Sequence, residues 1–334
     1  MLNTINKLFI VALVLLGVSC VDQDNSYLIP NITGKSHEVI VVMNKPTWDG
    51  AVGDTLYAVL TQDSPALPQA EPAFDVSNVS KANFENLASI RTFRNLVFTQ
   101  VVDTIAHPEI SIARGKWARQ QLVVTIKAKS ETDLVKLIGD KQDEIRQIIR
   151  ETEMGRTLAN FKQYPNVGLI QQVAKKYQLS FDIPSNYTLD QTYDNFLWFA
   201  HETPLMSQGF LVYWYPYTDE RQLSKDSLVS RRNQFTRKFV PGSIKDSYMT
   251  TDMKFPMVYK EYTYKDEYTA ELRGLWYTDH DFMGGPFVSL SKVDEINGRI
   301  VTIEGFVYAP KTSKRNYVAQ LEAVLHTLHF KKKE

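Results

Sequence analysis

The sequence predicts an α+β protein made of two subdomains, each a largely antiparallel sheet packed with helices. Short runs rich in β-branched and aromatic residues alternate along the chain with amphipathic segments of helical period. The composition is 43% hydrophobic and 12% aromatic, which supplies enough apolar side chains for a packed core. The 334 residues are also enough for about two domains.

The N-terminus, residues 1–19, has the order of a secretory signal. Lys7 supplies a positive charge, the run LFIVALVLL (8–16) is apolar, and small residues up to Ser19 precede Cys20, the single cysteine of the chain. This arrangement resembles a bacterial lipoprotein signal, which is cut immediately before a diacylated cysteine. The resemblance implies lipid attachment at Cys20. A plain secretory signal and a buried free cysteine are the alternatives.

Residues 20–36 are polar, lack periodicity and predict a tether. Asp22 and Asp24 follow the cysteine, and such acids resemble the signal for export to the cell surface in Bacteroidetes; a solvated tether is the alternative. We therefore expect an outer-membrane lipoprotein on the cell surface or on the periplasmic face. Its N-terminal lipid would hold it to the membrane, because acyl chains contribute about 0.8 kcal/mol per buried CH₂.

The neutral charge balance argues against nucleic acid as a partner. Lys and Arg number 38 and so do Asp and Glu, so the chain lacks the basic excess typical of proteins that bind nucleic acid. The sequence contains neither a Gly-x-x-x-x-Gly-Lys-Ser/Thr loop nor a Gly-x-Gly-x-x-Gly loop, and no cofactor is predicted. Besides the membrane, the partners we expect are an envelope protein, a glycan or an anionic lipid.

The first subdomain is expected over residues 37–155. Strand-like runs occur at 38–44, 73–79, 94–105 and 120–128, and helical periods occur at 53–62 and 130–154. Ser130 and Asp133 form a capping-box pattern that starts the second helix, and Gly155 is its predicted stop.

The second subdomain is expected over residues 156–334. Helices are predicted at 166–178, 224–239 and 313–329, and strands at 179–187, 195–202 and 209–217. Two hairpins are predicted, over 254–279 with a turn near Asp266 and over 286–310 with a turn at Asn297-Gly298. This order of elements resembles the α/β/α sandwich of the PsbP-type photosystem extrinsic proteins.

Several segments carry a resemblance that covers nearly the whole chain. They are SHEVIVVMN (36–44), WDGAVGDTL (48–56), NFLWFAHETP (195–204), GSIKDSYMTTD (242–252), GGPFVSL (284–290) and EGFVYAP (304–310). Through them the chain resembles a family of Bacteroidetes lipoproteins of unknown function. The resemblance implies an envelope lipoprotein and supplies no catalytic residue.

Alternating tyrosines provide the main candidates for ligand binding. Tyr213, Tyr215 and Tyr217 share one face of a predicted strand, and Tyr262 and Tyr264 share one face of another. On an open sheet face, such rings would stack against sugars or a peptide. Cross-strand packing of a good strand residue is the alternative.

Two cations on the predicted helix 224–239 are further candidates. Arg231 and Lys238 are seven residues apart and face the same way, and Arg binds carboxylate or phosphate well. An anionic envelope ligand would suit them, while a solvated helix face is the alternative.

Catalytic and metal-binding residues are weakly indicated. Asp279 and Asp281 flank His280 and would tune it as a base, although a polar turn ended by Gly-Gly-Pro is the simpler alternative.

Glu322, His326 and His329 have a helical spacing that suits metal ligands, but leucines interleave with them. A packed helix face is therefore favoured, and no metal site is predicted.

The leading hypothesis is a non-catalytic binding or accessory module of the cell envelope. The sequence lacks a Gly-x-Ser-x-Gly nucleophile pattern, which favours this hypothesis over an enzyme but leaves enzymatic activity open. One alternative is an envelope hydrolase that acts on glycan or peptide. Another is a structural subunit of an outer-membrane assembly.

Overall fold

A computed structural model describes residues 29–331 and confirms an α+β fold in two parts. The predicted signal sequence, Cys20 and the start of the predicted tether lie outside the described residues. In the first half, the strands are β1 (Glu38–Val42), β2 (Asp75–Val79), β3 (Asn95–Val101), β4 (Glu109–Arg114) and β5 (Leu122–Ala128). The helices are α1 (Lys45–Trp48), α2 (Ala51–Leu60), α3 (Lys81–Asn86), α4 (Ala88–Arg91), α5 (Glu131–Asp140) and α6 (Gln142–Gln163).

The first sheet has the order β2-β1-β3-β5-β4 and is mixed rather than largely antiparallel. β1, β2, β3 and β5 pair in parallel, while β4 runs antiparallel to β5. The reason lies in the connections, since α1 and α2 return the chain from β1 to β2, and α3 and α4 return it from β2 to β3. Helical crossovers of this kind join parallel strands. The sequence reasoning had missed α1, α3, α4 and β4.

The helix predicted at 130–154 is in fact two helices. Ser130 caps α5 as expected, because its Oγ accepts a hydrogen bond from the Asp133 N–H at 3.1 Å. The helical conformation is interrupted at Lys141, and α6 then runs through Gly155 to Gln163. Gly155 is therefore not a stop, and α6 is held to the first sheet beside it, because the buried Glu153 carboxylate accepts hydrogen bonds from Arg156 Nη1 at 2.6 Å and from Arg94 Nη2 at 2.7 Å.

The second half contains the remaining elements. Its strands are β6 (Leu179–Ser180), β7 (Thr188–Tyr193), β8 (Phe196–Glu202), β9 (Ser207–Pro216), β10 (Tyr248–Thr251), β11 (Val258–Tyr264), β12 (Glu267–Asp279), β13 (Gly284–Asp294), β14 (Arg299–Tyr308) and β15 (His329–Phe330). Its helices are α7 (Val167–Tyr177), α8 (Lys225–Phe239) and α9 (Arg315–Leu325), and a short 3₁₀ helix spans Glu220–Leu223.

The second sheet is antiparallel, with the order β10-β12-β13-β14-β9-β8-β7 and with β11 on β12. α7 and α9 pack on one face around Val212 and Val301, and α8 packs on the other around Leu211 and Ile300. The layers are therefore helix, sheet, helix. The β13–β14 turn contains Gly298 as predicted, but it spans the four residues between Asp294 and Arg299.

Hydrogen bonds and an ion pair connect the two halves at the start of α9. The carboxylate of Glu71, from the first half, accepts hydrogen bonds from the backbone N–H groups of Lys314 at 2.7 Å and Arg315 at 2.9 Å. Arg315 also pairs with Asp75 at 2.7 Å. A carboxylate at a helix N-terminus satisfies free N–H groups and complements the helix dipole. Across residues 29–331, the helices are all too short or too polar to cross a bilayer.

Candidate binding cleft between the two halves

A cleft lies where α6 of the first half faces α9 and β11 of the second. It consists of two adjoining cavities of ≈ 290 and ≈ 350 Å³. Both cavities are lined by His37, Arg150, Lys260, Ala319 and Glu322. We call the cavity that also contains Arg146 and Arg315 the cationic lobe, and the cavity that contains Tyr262 and Tyr264 the tyrosine lobe. Ligand sites occur preferentially at such junctions between structural units.

Glu322 on α9 is the electrostatic centre of the cleft. Its Oε1 accepts hydrogen bonds from Arg273 Nη2 at 2.6 Å and from Arg150 Nη2 at 2.9 Å. Burial acts to raise the pKa of Glu322, but the two guanidiniums outweigh it and hold this pKa well below its usual range. Because Arg150 is on α6 and Arg273 is on β12, one carboxylate ties both halves together.

Glu271 extends this network along β12. Arg273 Nε donates to Glu271 Oε1 at 2.5 Å, and the Tyr262 hydroxyl donates to Glu271 Oε2 at 3.0 Å. Burial and the Glu271 carboxylate raise the pKa of Tyr262 above its ordinary range. Burial opposes the charge of Arg273, yet Glu322 and Glu271 raise its pKa, so this guanidinium stays charged. The wall of the cleft is thus held by ion pairs.

Two histidines of the cleft are neutral at pH 7. Burial lowers the pKa of His37 to about 4, against weaker opposing effects of nearby charges. Burial also lowers the pKa of His326, whose ring lies 4.5 Å from that of Tyr264. The Nδ1 atom of His326 has no hydrogen-bond partner within residues 29–331.

The arginines of the cationic lobe are all ion-paired, and Lys260 is its one cation without an acidic partner within residues 29–331. Its cations are Arg146, Arg150, Lys260, Arg273 and Arg315, and its acids are Asp63, Asp143 and Glu322. The tyrosine lobe contains more acids than cations, although Glu153 there is compensated by Arg94 and Arg156. An acidic group therefore fits the cationic lobe best, while tyrosine rings and amide or hydroxyl groups line the other.

The five candidate tyrosines fall into two environments. Tyr262 and Tyr264 line the cleft and are half-buried. Tyr213 and Tyr215 share a face of β9 as predicted, but they are only 2% and 5% exposed because α8 covers that face. The open sheet face assumed for this pair does not exist. Tyr217 lies just past β9, is 39% exposed and lies outside the cleft.

Arg231 and Lys238 also lie away from the cleft. Both are on α8, which covers the sheet face opposite α9. The Arg231 guanidinium lies 4.8 Å from the ring centroid of Tyr215, and the Lys238 ammonium lies 4.8 Å from that of Phe239. Each cation therefore packs over an aromatic ring of its own helix–sheet layer.

Asp279, His280 and Asp281 lie at the β12–β13 turn and do not converge. The Asp281 carboxylate accepts hydrogen bonds from the N–H and the hydroxyl of Ser243. The His280 side chain is 74% exposed, and its Nε2 is 3.7 Å from Asp279 Oδ2. Such a turn lacks the aligned base and the enclosed site that acid–base catalysis requires.

Glu322, His326 and His329 do not share one helix, because α9 ends before the histidines. The helix ends at Leu325 rather than 329, and His329 lies on β15 with its Nδ1 at 3.0 Å from the Thr327 carbonyl oxygen. Across residues 29–331, His, Cys, Asp and Glu side chains form no group of three or more that could hold a metal ion.

The sequence reasoning had missed the ion-paired residues that build the cleft. Thr269, Glu271 and Arg273 alternate with Ala270 and Leu272 on β12, which was a readable sign of a polar stripe on one face. Arg150 and Glu322 had no readable sign, because 172 positions separate them in the chain.

Comparison with known families divides the chain where the fold does. Residues 33–162 match a family described as a domain of unknown function (DUF8532), and residues 167–327 match another described as a domain of unknown function (DUF4837). The first match ends at the C-terminus of α6, and the second begins at α7. A search of curated proteins found no match. The two matches together cover most of the chain and agree with the expected lack of an assigned function, but they are two family models rather than the single family expected over the full length.

Proposed function

We propose that this chain is an outer-membrane lipoprotein of the Bacteroidetes type, attached through Cys20, and that its folded part is a non-catalytic binding module of the cell envelope. We further propose that the ligand occupies the cleft between the halves. The observation that carries this proposal is the cleft itself, since two adjoining cavities of ≈ 290 and ≈ 350 Å³ are lined by side chains of both halves. Cavities of this size suit small ligands.

The protonation of the cleft favours binding over catalysis. A general acid or base works best with a pKa near the operating pH. Here the pKa of Glu322 is lowered by its arginines, and burial together with Glu271 raises that of Tyr262. Burial lowers the pKa of His37 to about 4. These groups keep one protonation state near neutrality, as fixed hydrogen-bonding partners do.

The chemistry of the lining indicates an acidic, polar ligand. Lys260 is exposed and borders both lobes, so it can meet a carboxylate in the cationic lobe. Tyr264 and Thr263 offer a ring and a hydroxyl on the same strand. A glycan–peptide fragment of the envelope with free carboxylates combines the groups that these residues recognise.

A matched pair of lysine variants tests the cleft. The full-length protein in detergent would be titrated with soluble muropeptides, which carry carboxylates. We expect K260E to weaken binding about tenfold, because a repulsive charge replaces an attractive one at the cleft. K254E is the control, since Lys254 is also exposed, on the loop before β11, but lies outside the cleft. Equal effects of K260E and K254E, or no binding by the wild type, would contradict the proposal.

The anchor is tested separately. We expect C20A to abolish labelling of the protein by radioactive palmitate in cells and to release the protein from the membrane fraction. Labelling that persists in C20A would show that Cys20 is not the attachment site. Protease treatment of intact cells then distinguishes the cell surface from the periplasmic face.

A further inference from the structure

Another cavity, separate from the two that form the cleft, lies at the end of the second sheet on its α8 face. Its volume is ≈ 370 Å³, and its aromatic lining consists of Trp198, Trp276, Phe306 and Tyr308. The Trp276 and Phe306 rings meet edge to face at 5.8 Å, and Trp198 meets Phe306 at 6.3 Å. We call this cavity the aromatic pocket.

The local sequence creates the aromatic pocket. α8 ends at Phe239 and Pro241 follows, so the helix does not cover the last residues of the strands beneath it. Gly209 pairs with Phe306 across β9 and β14, and a Cβ at Gly209 would lie 2.4 Å from the Phe306 ring. The absent side chain lets the Phe306 ring lie across β9, where it forms part of the pocket.

Methionines make the pocket adaptable. Met206, Met249 and Met283 line it, and the whole chain has eight methionines. An unbranched thioether adjusts to irregular apolar shapes and is common on surfaces that accept flexible partners. The one charged side chain of the lining is the exposed Glu202, at the level of the β8–β9 turn. The pocket therefore suits a flexible apolar chain.

Two buried donors lie beside this apolar lining. The indole N–H groups of Trp198 and Trp276 have no hydrogen-bond partner within residues 29–331, and Trp276 is only 3% exposed. Buried polar groups usually have a partner, and leaving one unpaired is unfavourable. Both nitrogens are sealed from solvent, so the parts of these rings that line the pocket are carbon and suit an apolar ligand.

The loops at the mouth of the pocket are themselves apolar. Leu205 is 77% exposed, Ile244 is 52% exposed and Phe282 is fully exposed, each on a different loop at this end of the sheet. The loops of Ile244 and Phe282 are tied together by the hydrogen bonds from Ser243 to Asp281. Apolar loop tips of this kind favour contact with the acyl boundary of a bilayer.

Charges of both signs flank the same mouth, with the acids Glu202, Asp246 and Asp281 beside two lysines. Lys245 directly follows Ile244, and Lys311 directly follows Pro310, which lines the pocket; both lysines are exposed. They complement the phosphate or carboxylate oxygens that sit at the head of a lipid. Apolar tips beside lysines match the two layers of a lipid surface.

We propose that the aromatic pocket binds the acyl chain of a lipid that enters between the tips Leu205, Ile244 and Phe282. The chain packs among the methionines and aromatic rings, and the oxygens at its head meet the flanking lysines at the mouth. The aromatic pocket shares no lining residue with the cleft between the halves, so the two sites are independent.

Bromine quenching of tryptophan fluorescence tests the pocket. We would add 9,10-dibromostearate below its critical micelle concentration, or vesicles of dibrominated phosphatidylcholine, to the full-length protein. Partial quenching is expected because Trp198 and Trp276 are two of five tryptophans. Quenching by the free acid alone would identify a free fatty acid as the source of the chain, and quenching by vesicles would identify a membrane lipid.

A matched methionine pair makes the test specific. M283E places a charge in the pocket, and we expect it to raise the concentration for half-maximal quenching at least about tenfold. M253E is the control, because Met253 is 64% exposed on the β10–β11 loop and outside the pocket. Thermal unfolding would verify that both variants fold, and L205E at the mouth is the second variant if M283E does not. Absence of quenching in the wild type, or equal quenching in M283E and M253E, would overturn the proposal.

Discussion

The two tyrosine pairs of the second half have the same spacing but opposite surroundings. Tyr213 and Tyr215 alternate on β9, as Tyr262 and Tyr264 do on β11. The first pair is sealed under α8, where the Tyr213 ring lies 4.6 Å from that of Phe235. The second pair lines an open cleft beneath the first half of the chain. Alternation thus determines which face a side chain takes, and a distant element decides whether that face is covered.

The charges beneath each pair differ in the same way. Near Tyr213, Arg232 Nε donates to Glu304 Oε2 at 2.8 Å, and both residues are fully buried. Burial raises the pKa of Glu304 despite the opposing effect of Arg232. Near Tyr262, the pKa of Glu322 is instead lowered, because two arginines outweigh its burial. The sealed cluster is a single ion pair, whereas in the open cluster Glu322 has two arginine partners and shares one of them with Glu271.

The sealed pair gives the largest expected effect. R232M should destabilise the protein by about 4 kcal/mol, because it leaves Glu304 buried without a countercharge. Urea unfolding measures the loss. The double variant R232M/E304L should recover most of it, since no buried charge remains. R231M is the control, expected within about 1 kcal/mol of the wild type, because Arg231 is only half-buried over the Tyr215 ring and pairs with no acid within residues 29–331. Similar losses for R231M and R232M would remove the distinction between sealed and open clusters.

His37 tests the open cluster through pH. Its folded pKa of about 4 lies below its ordinary value of 6.5, so the unfolded chain binds a proton first as pH falls. The stability that neutral His37 contributes is therefore complete above pH 6.5 and is lost down to about pH 4, amounting to about 3 kcal/mol. H37N keeps a residue type that tolerates the positive φ of 64° at this position.

The measurement is the free energy of unfolding from pH 7 to pH 4 for both proteins. We expect a shallower pH dependence for H37N than for the wild type across this range. Parallel curves would mean that His37 is solvated and that the cleft wall is more open than the structure shows.

Removal of Arg273 should have an intermediate effect. R273M should cost about 2 kcal/mol, less than R232M, because Glu322 keeps Arg150 and Glu271 keeps Tyr262. Urea unfolding beside R232M compares the two clusters directly. A loss from R273M equal to or larger than that from R232M would show that the cleft charges are sealed as tightly as the pair under α8.

The smallest effect separates the tyrosines themselves. Y262F should cost about 1 kcal/mol, because its hydroxyl donates to Glu271. Y215F should cost nothing or stabilise the protein slightly, since the buried Tyr215 hydroxyl has no partner within residues 29–331. Thermal unfolding of the two variants measures the difference. The opposite order would mean that the Tyr262 hydrogen bond is replaced by water at no cost.

The fold was predictable where a signal is local and repeated. The apolar stripe of α8, with Leu228, Phe235 and Phe239, was visible in the sequence, and so was the face shared by Tyr213 and Tyr215. The sequence showed the apolar stripe and the tyrosine face, but it did not show that α8 covers that face. The parallel pairing of strands in the first sheet was also missed, because the crossover helices α3 and α4 were not recognised. They have only six and four residues and are too short to show a helical period.

The sequence by itself determined the α+β class, most strands and longer helices, and the face that each alternating side chain takes. These features depend on neighbours within a few positions, where backbone geometry fixes the period. Only the tertiary structure decided that Arg150 meets Glu322 and that Glu71 caps α9, across separations of 172 and 243 residues. Such contacts form because two halves bury their surfaces together, and no local period records which residues will then face each other.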